Sequence, residues 1–132
     1  MHTGPVIAVV DDFPDLLESI TNLLSLFGYF VVTSNVRDLM AGGKYAMALF
    51  LSEHDPVVVI FDITPPYAKT LSYLKTFIRQ EAARGRKFII TTTTPEVARA
   101  SASLPGIAQV FIKPPHPTEL LSAIKQAVES AT

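Results

Sequence analysis

Three apolar runs, Val6-Ile-Ala-Val-Val10, Val57-Val-Val-Ile-Phe61 and Val110-Phe-Ile112, each stop at charge. The first ends on Asp11-Asp12, the second on Asp62 and the third on Lys113-Pro114. Short β-branched runs bounded by turn residues are the pattern of strands buried on both faces of a parallel sheet. In open sheets of that kind, ligands bind just beyond the carboxyl ends of the strands. The three runs therefore predict one crevice with three carboxylates and one ammonium. Such a set suits a divalent cation and a phosphoryl group.

Helical patterns fill the gaps between these runs. Leu16, Ile20, Leu23 and Phe27 recur at steps of three and four, with Leu17 and Leu24 widening the stripe. Pro14 near the start and Gly28 past the end bound this first amphipathic helix. Tyr29-Phe-Val-Val-Thr33 reads as a second strand, and Arg37 to Ser52 as a helix broken or delayed by Gly42-Gly43. Leu71, Leu74 and Ile78 mark a third helix that closes near Gly85. Phe88-Ile-Ile-Thr91 reads as a fourth strand. Pro95 opens a short helix to about Ser103, and Pro117 opens a last one carrying Leu120, Leu121, Ile124 and Val128.

Five alternations of strand and helix predict a single α/β domain, with a parallel sheet covered by helices on both faces. Right-handed crossovers make it a doubly wound sandwich, because five units cannot close an eight-fold barrel. The 132 residues suffice for one core.

With 11 basic and 12 acidic residues, the charge balance gives no argument for nucleic acid or an anionic membrane. The absence of cysteine excludes disulfides and thiolate metal sites and suits a reducing cytosol. No signal-peptide pattern opens the chain, and no apolar run reaches the roughly 18 residues of a membrane span. A complete, cytoplasmic domain is the expectation.

Each site residue also has an ordinary reading. An Asp at a strand-to-helix junction often caps the helix, which is the alternative for Asp11 or Asp12. Asp62 alone would be a capping or turn residue. Convergence changes that, since three close carboxylates raise one another's pKa unless a cation joins them. A carboxylate is also a nucleophile able to form an acyl phosphate. Lys113 can serve phosphate as a point charge or can simply snorkel at a strand end. The peptide before Pro114 can be cis. One hydroxyl among Thr91 to Thr94 can meet a phosphoryl oxygen, the others being strand, cap and surface residues. His2, His54 and His116 read as structural or solvent-exposed.

Together these residues resemble the CheY-like receiver domain of two-component response regulators, over essentially the whole chain. Asp11 and Asp12 match the family's acidic pair, Asp62 its phosphoacceptor, and Pro66 the proline four residues later. Thr92 matches the hydroxyl residue closing the fourth strand, and Lys113-Pro114 the Lys-Pro dipeptide. The resemblance implies the flavodoxin-like strand order 2-1-3-4-5. It implies Mg²⁺ held by Asp12, by Asp11 largely through water, by Asp62, and by the backbone carbonyl of Thr64. Asp62 would take a phosphoryl group from a sensor histidine kinase or a phosphotransfer protein, with Lys113 neutralising charge. Thr92 would then move onto the phosphoryl group and change binding to a downstream protein target. No enzymatic turnover and no output domain is implied, the chain ending about 15 residues after Pro117.

Four features depart from the family pattern. Val110 stands where an aromatic residue is usual, and the neighbouring Phe111 should point to the opposite face. Thr93 is larger than the usual residue after Thr92. Thr70 replaces a glycine expected eight residues after Asp62, in a loop that opens with Pro65-Pro66. Extra residues surround Gly42-Gly43, and the apolar Tyr45 to Leu51 stretch is either a half-buried helix or a patch for self-association.

Two other functions compete. One is a receiver-shaped protein-binding module whose signalling is independent of phosphorylation, motivated by Val110, Thr93 and Thr70. The other is an Mg²⁺-dependent phosphatase with an aspartyl nucleophile. Its second Asp would stand at position 64, where Thr64 cannot act as acid or base. Thr64 and Thr94 also hold the positions to which the family's phosphoryl lifetime is sensitive. Neither can orient a water well, so slow self-dephosphorylation is expected.

Overall fold

The computed structural model describes residues 4–131; His2 lies outside them. Five strands pair in parallel in the order β2-β1-β3-β4-β5. They are β1 (Val6–Val10), β2 (Phe30–Ser34), β3 (Val58–Asp62), β4 (Lys87–Thr92) and β5 (Ile107–Ile112). The doubly wound parallel sheet read from the sequence is the observed architecture. Every residue of β1 and β3 is buried, as their unbroken apolar runs require. The edge strands β2 and β5 are only partly buried. Because alternate side chains face opposite ways, the sheet divides its apolar residues between two cores.

On one face Ile7, Val9, Val58, Ile60, Ile89 and Phe111 pack against two helices, α1 (Pro14–Leu26) and α6 (Pro117–Ala131). Ile20 and Leu24 come from α1, while Leu120, Ala123, Ile124 and Ala127 come from α6. On the other face Ala8, Val10, Val59, Phe61, Phe88 and Ile90 meet α2 (Val36–Ala41), α3 (Lys44–His54) and α4 (Tyr67–Phe77). The short α5 (Pro95–Ala102) adds Val97 to this second core. Phe77 sits at its centre, with ring centroids 5.2 Å from Phe61, 5.4 Å from Tyr73 and 5.8 Å from Phe88. Such tilted and edge-to-face pairs add to area burial.

Several boundaries differ from the sequence reading. The Arg37 to Ser52 segment is two helices. Gly43 adopts φ +76 between them, a conformation that suits glycine and ends helical continuity. The third predicted helix stops at Phe77, and a single 3₁₀ turn at Glu81–Ala83 carries the chain toward Gly85. β5 begins three residues before Val110, and its exposed Ala108 and Gln109 are tolerated because the edge strand is partly solvated. Val110 packs toward the α2–α5 face and Phe111 toward the α1–α6 face, as alternation demands.

The Tyr45 to Leu51 stretch forms a half-buried helix. Met47, Phe50 and Leu51 are buried, whereas Tyr45 and Leu49 are 73% and 60% exposed.

Candidate functional site

The register that pairs Val10 with Phe61 brings the residues after them, Asp11 and Asp62, to the same edge of the sheet. Asp62 pairs directly with Thr91 on β4, and Thr92 pairs with Ile112, one residue before Lys113. The topology thus delivers residues distant in sequence to one point. Lys113 Nζ lies 3.2 Å from Asp11 Oδ2 and 3.2 Å from Asp62 Oδ2. Asp11 is 3% exposed and Asp62 is 2% exposed, so both ion pairs are shielded from water. The Lys113–Pro114 peptide is cis, as is Pro65–Pro66.

The remaining bonds order these groups. Asp11 Oδ1 accepts the Phe13 amide at 3.1 Å, while the Phe13 ring lies under Lys113 with Nζ 4.8 Å from its centroid. Thr91 donates its hydroxyl to Asp62 Oδ1 at 3.0 Å. Thr92, completely buried, donates to the Ile63 carbonyl at 3.3 Å. The Thr93 hydroxyl meets the Tyr67 phenol at 2.7 Å. Three successive threonines therefore tie the end of β4 to the segment that begins at Asp62.

Asp12 faces elsewhere. Its Oδ1 accepts the Arg37 amide at 3.1 Å, in the first turn of α2. The expected three-carboxylate cluster is a pair, and among the described residues no three acidic or histidine side chains converge as a metal cage. The reason is local: successive side chains at a strand end diverge, and the free amides opening α2 offer Asp12 a partner. The Thr64 carbonyl accepts the Thr70 hydroxyl at 2.8 Å, a bond unavailable to the glycine expected at that position.

The acidic pair still fits a hard cation, which needs only one or two carboxylates and otherwise keeps its waters. Two buried carboxylates share one ammonium, leaving negative charge uncompensated. Asp62 is pushed up to about 6, first by burial and then by the charge of Asp11, with Lys113 and the Thr91 hydroxyl opposing. A divalent cation would relieve that strain.

His54 and His116 are both exposed. The His54 ring packs on Phe50 with centroids 4.9 Å apart, and His116 Nδ1 accepts the Thr118 amide at the start of α6.

Sequence reasoning missed the Thr91–Asp62 bond, the Phe13 ring on Lys113 and the Tyr67–Thr93 bond. The first was within reach, since strands of matched length place the residue closing β3 beside one closing β4. The other two depend on loop geometry that no periodicity encodes.

No family model matches the sequence, and no curated protein is similar to it. Solved structures do match in fold. A signal receiver domain of an HD domain-containing protein from Pseudomonas fluorescens superposes with a TM-score of 0.77 at 21% identity, covering 98% of each chain. A CheY-like response regulator receiver domain protein from Methanospirillum hungatei gives 0.75 at 22% identity, covering 98% of this chain and 97% of that one. The chemotaxis protein CheY4 of Vibrio cholerae gives 0.72 at 18% identity, covering 95% and 99%. The chain has the fold of CheY-like receiver domains across nearly its whole length.

Proposed function

We propose that this chain is a phosphoacceptor receiver, in which Asp62 accepts a phosphoryl group from a histidine kinase or phosphotransfer protein and thereby controls binding to a downstream protein. The single observation that carries this reading is the Lys113 ammonium at 3.2 Å from both Asp11 and Asp62 at a shielded strand edge. Two buried carboxylates and one ammonium meeting at one point support the reading of Asp62 as the nucleophile and Lys113 as its charge partner.

In the transfer, a lone pair of the Asp62 carboxylate forms an O–P bond as the N–P bond of the phosphohistidine breaks. The leaving imidazole nitrogen takes up a proton from solvent. Lys113 then offsets charge gathered on the phosphoryl oxygens, the main task in such chemistry. Asp11 holds Lys113 in place, and the Phe13 ring covers it. Mg²⁺, when bound, would supply further neutralisation; Asp11, Asp62 and the Thr64 carbonyl would hold it from this chain, with Asp12 once it leaves the Arg37 amide.

Thr92 is the residue that would exchange the Ile63 carbonyl for the phosphoryl group. No turnover of a free substrate is part of this reading, and phosphoryl loss is slow because neither Thr64 nor Thr94 can activate a water. We place this receiver domain in the cytoplasm, where a histidine kinase or phosphotransfer protein would meet it. No helix among the described residues is long and apolar enough to cross a membrane. Self-association through α3 would have to rest on Tyr45 and Leu49, because Met47 is buried.

The test is incubation with Mg²⁺ and acetyl phosphate, read by intact mass. The expected result is the gain of one phosphoryl group, absent without Mg²⁺ and absent in Asp62→Asn. No gain, or a gain that survives Asp62→Asn, overturns the reading in favour of a phosphorylation-independent binding module.

A further inference from the structure

The two oxygens of Asp62 are held by different donors. Oδ2 faces the Lys113 ammonium at 3.2 Å, while Oδ1 accepts the Thr91 hydroxyl at 3.0 Å. Thr91 is 4% exposed, so water does not compete for this bond. Its backbone is fixed by pairing with both β3 and β5, and a β-branched side chain on a strand has few rotamers to explore. The donor is therefore aimed before any chemistry begins. Thr92 and Thr93 spend their hydroxyls on Ile63 and Tyr67.

Taking Asp62 as the phosphoacceptor, we propose that Thr91 is a positioning residue that sets the balance between free and phosphorylated Asp62, favouring the free carboxylate. With acetyl phosphate, a carboxylate lone pair forms the new O–P bond. The old P–O bond breaks, and acetate leaves with its electron pair. No proton is gained or lost, and the charge of the carboxylate ends on acetate. What remains at Asp62 is an uncharged acyl group.

A hydrogen bond to an ionised acceptor is roughly twice as strong as one between neutral groups. Thr91 therefore stabilises the reactant more than the product, whichever oxygen attacks. Phosphorylation must work against this bond. The same preference returns phosphorylated Asp62 toward the resting state.

The experiment compares the parent chain with Thr91→Val, which keeps shape and strand preference but removes the donor, and with Thr91→Ser, which keeps the donor. Beryllofluoride, which adds to a carboxylate as a phosphoryl mimic, is titrated at about pH 8 with saturating Mg²⁺, where ordinary carboxylates are ionised. Amide resonances report binding. Thr91→Val is expected to bind about fivefold to tenfold more tightly, with Thr91→Ser within about twofold of the parent.

Equal or weaker binding by Thr91→Val overturns the inference and leaves Asp62 as acceptor intact. Tighter binding by both variants also overturns it, because packing rather than the hydroxyl would then be responsible. A parent that fails to bind, like Asp62→Asn, overturns the assignment of Asp62 and the inference together. Should Thr91→Val not fold by circular dichroism, Thr91→Ala removes the same donor and is judged by the same outcomes.

Discussion

The Tyr67 phenol and the Thr93 hydroxyl meet at 2.7 Å, joining the loop after Asp62 to the loop after Thr92. Tyr67 opens α4 and its ring packs on the same apolar cluster as Val97 and Val110. Tyr67→Phe keeps that packing and removes only the bond, so it should cost about 1 kcal/mol or less in urea melts. Thr93→Ala should cost the same, and the double variant no more than either single one, because both delete one interaction. Full additivity would mean that the two hydroxyls do not act on each other.

Lys113 serves two buried carboxylates, so its loss leaves Asp11 without its counter-charge and pushes Asp62 further toward its neutral form. Lys113→Met should destabilise the fold by about 3 kcal/mol at neutral pH. It should also slow phosphoryl transfer to Asp62 from acetyl phosphate by about 100-fold, the scale of losing one preorganised electrostatic group. Single-turnover mass spectrometry and denaturant melts measure the two effects. A stability loss without a rate loss would remove Lys113 from the transfer chemistry.

Asp62 makes stability depend on pH with a definite sign. Its folded-state value of about 6 lies above its ordinary 3.8, so the native chain binds this proton more tightly than the unfolded chain does. The contribution is full below about 4, fades as pH rises, and is lost above about 6. Ionised at pH 7, Asp62 then costs up to about 3 kcal/mol relative to its protonated form. Asp62→Asn should therefore melt higher than the parent at pH 7 and match it near pH 4. Saturating Mg²⁺ at pH 7 should close part of the gap by raising the parent alone. Thermal melts across pH decide it, and an Asp62→Asn variant less stable at pH 7 would reverse the sign.

Much of this site was legible because the residues that build it end strands. An apolar run of four or five residues states both that a strand is buried and where it emerges, so Asp62 and Lys113 could be placed at one edge. The acidic pair was legible as a pair but not in its division of labour. Which of Asp11 and Asp12 turns inward depends on where the first amides of α2 lie, and that depends on packing around Val36 and Leu39. Thr91 was harder, since four consecutive threonines look alike in sequence and only register separates the one opposite Asp62. The Tyr67–Thr93 bond joins two loops whose shapes no residue pattern specifies.

The same distinction between pattern and packing applies within α3, where Met47 and Leu49 are two residues apart and both apolar. Met47 is completely buried in the core around Phe77, whereas Leu49 is 60% exposed. Met47→Ala should cost about 2–5 kcal/mol through lost burial and the cavity left behind. Leu49→Glu and Tyr45→Glu should each stay within about 0.5 kcal/mol, since an exposed side chain leaves no void. Light scattering of the doubly charged variant tests self-association directly. An unchanged mass is expected if α3 is simply a half-buried helix, and a drop from dimer to monomer would assign Tyr45 and Leu49 to an interface between copies.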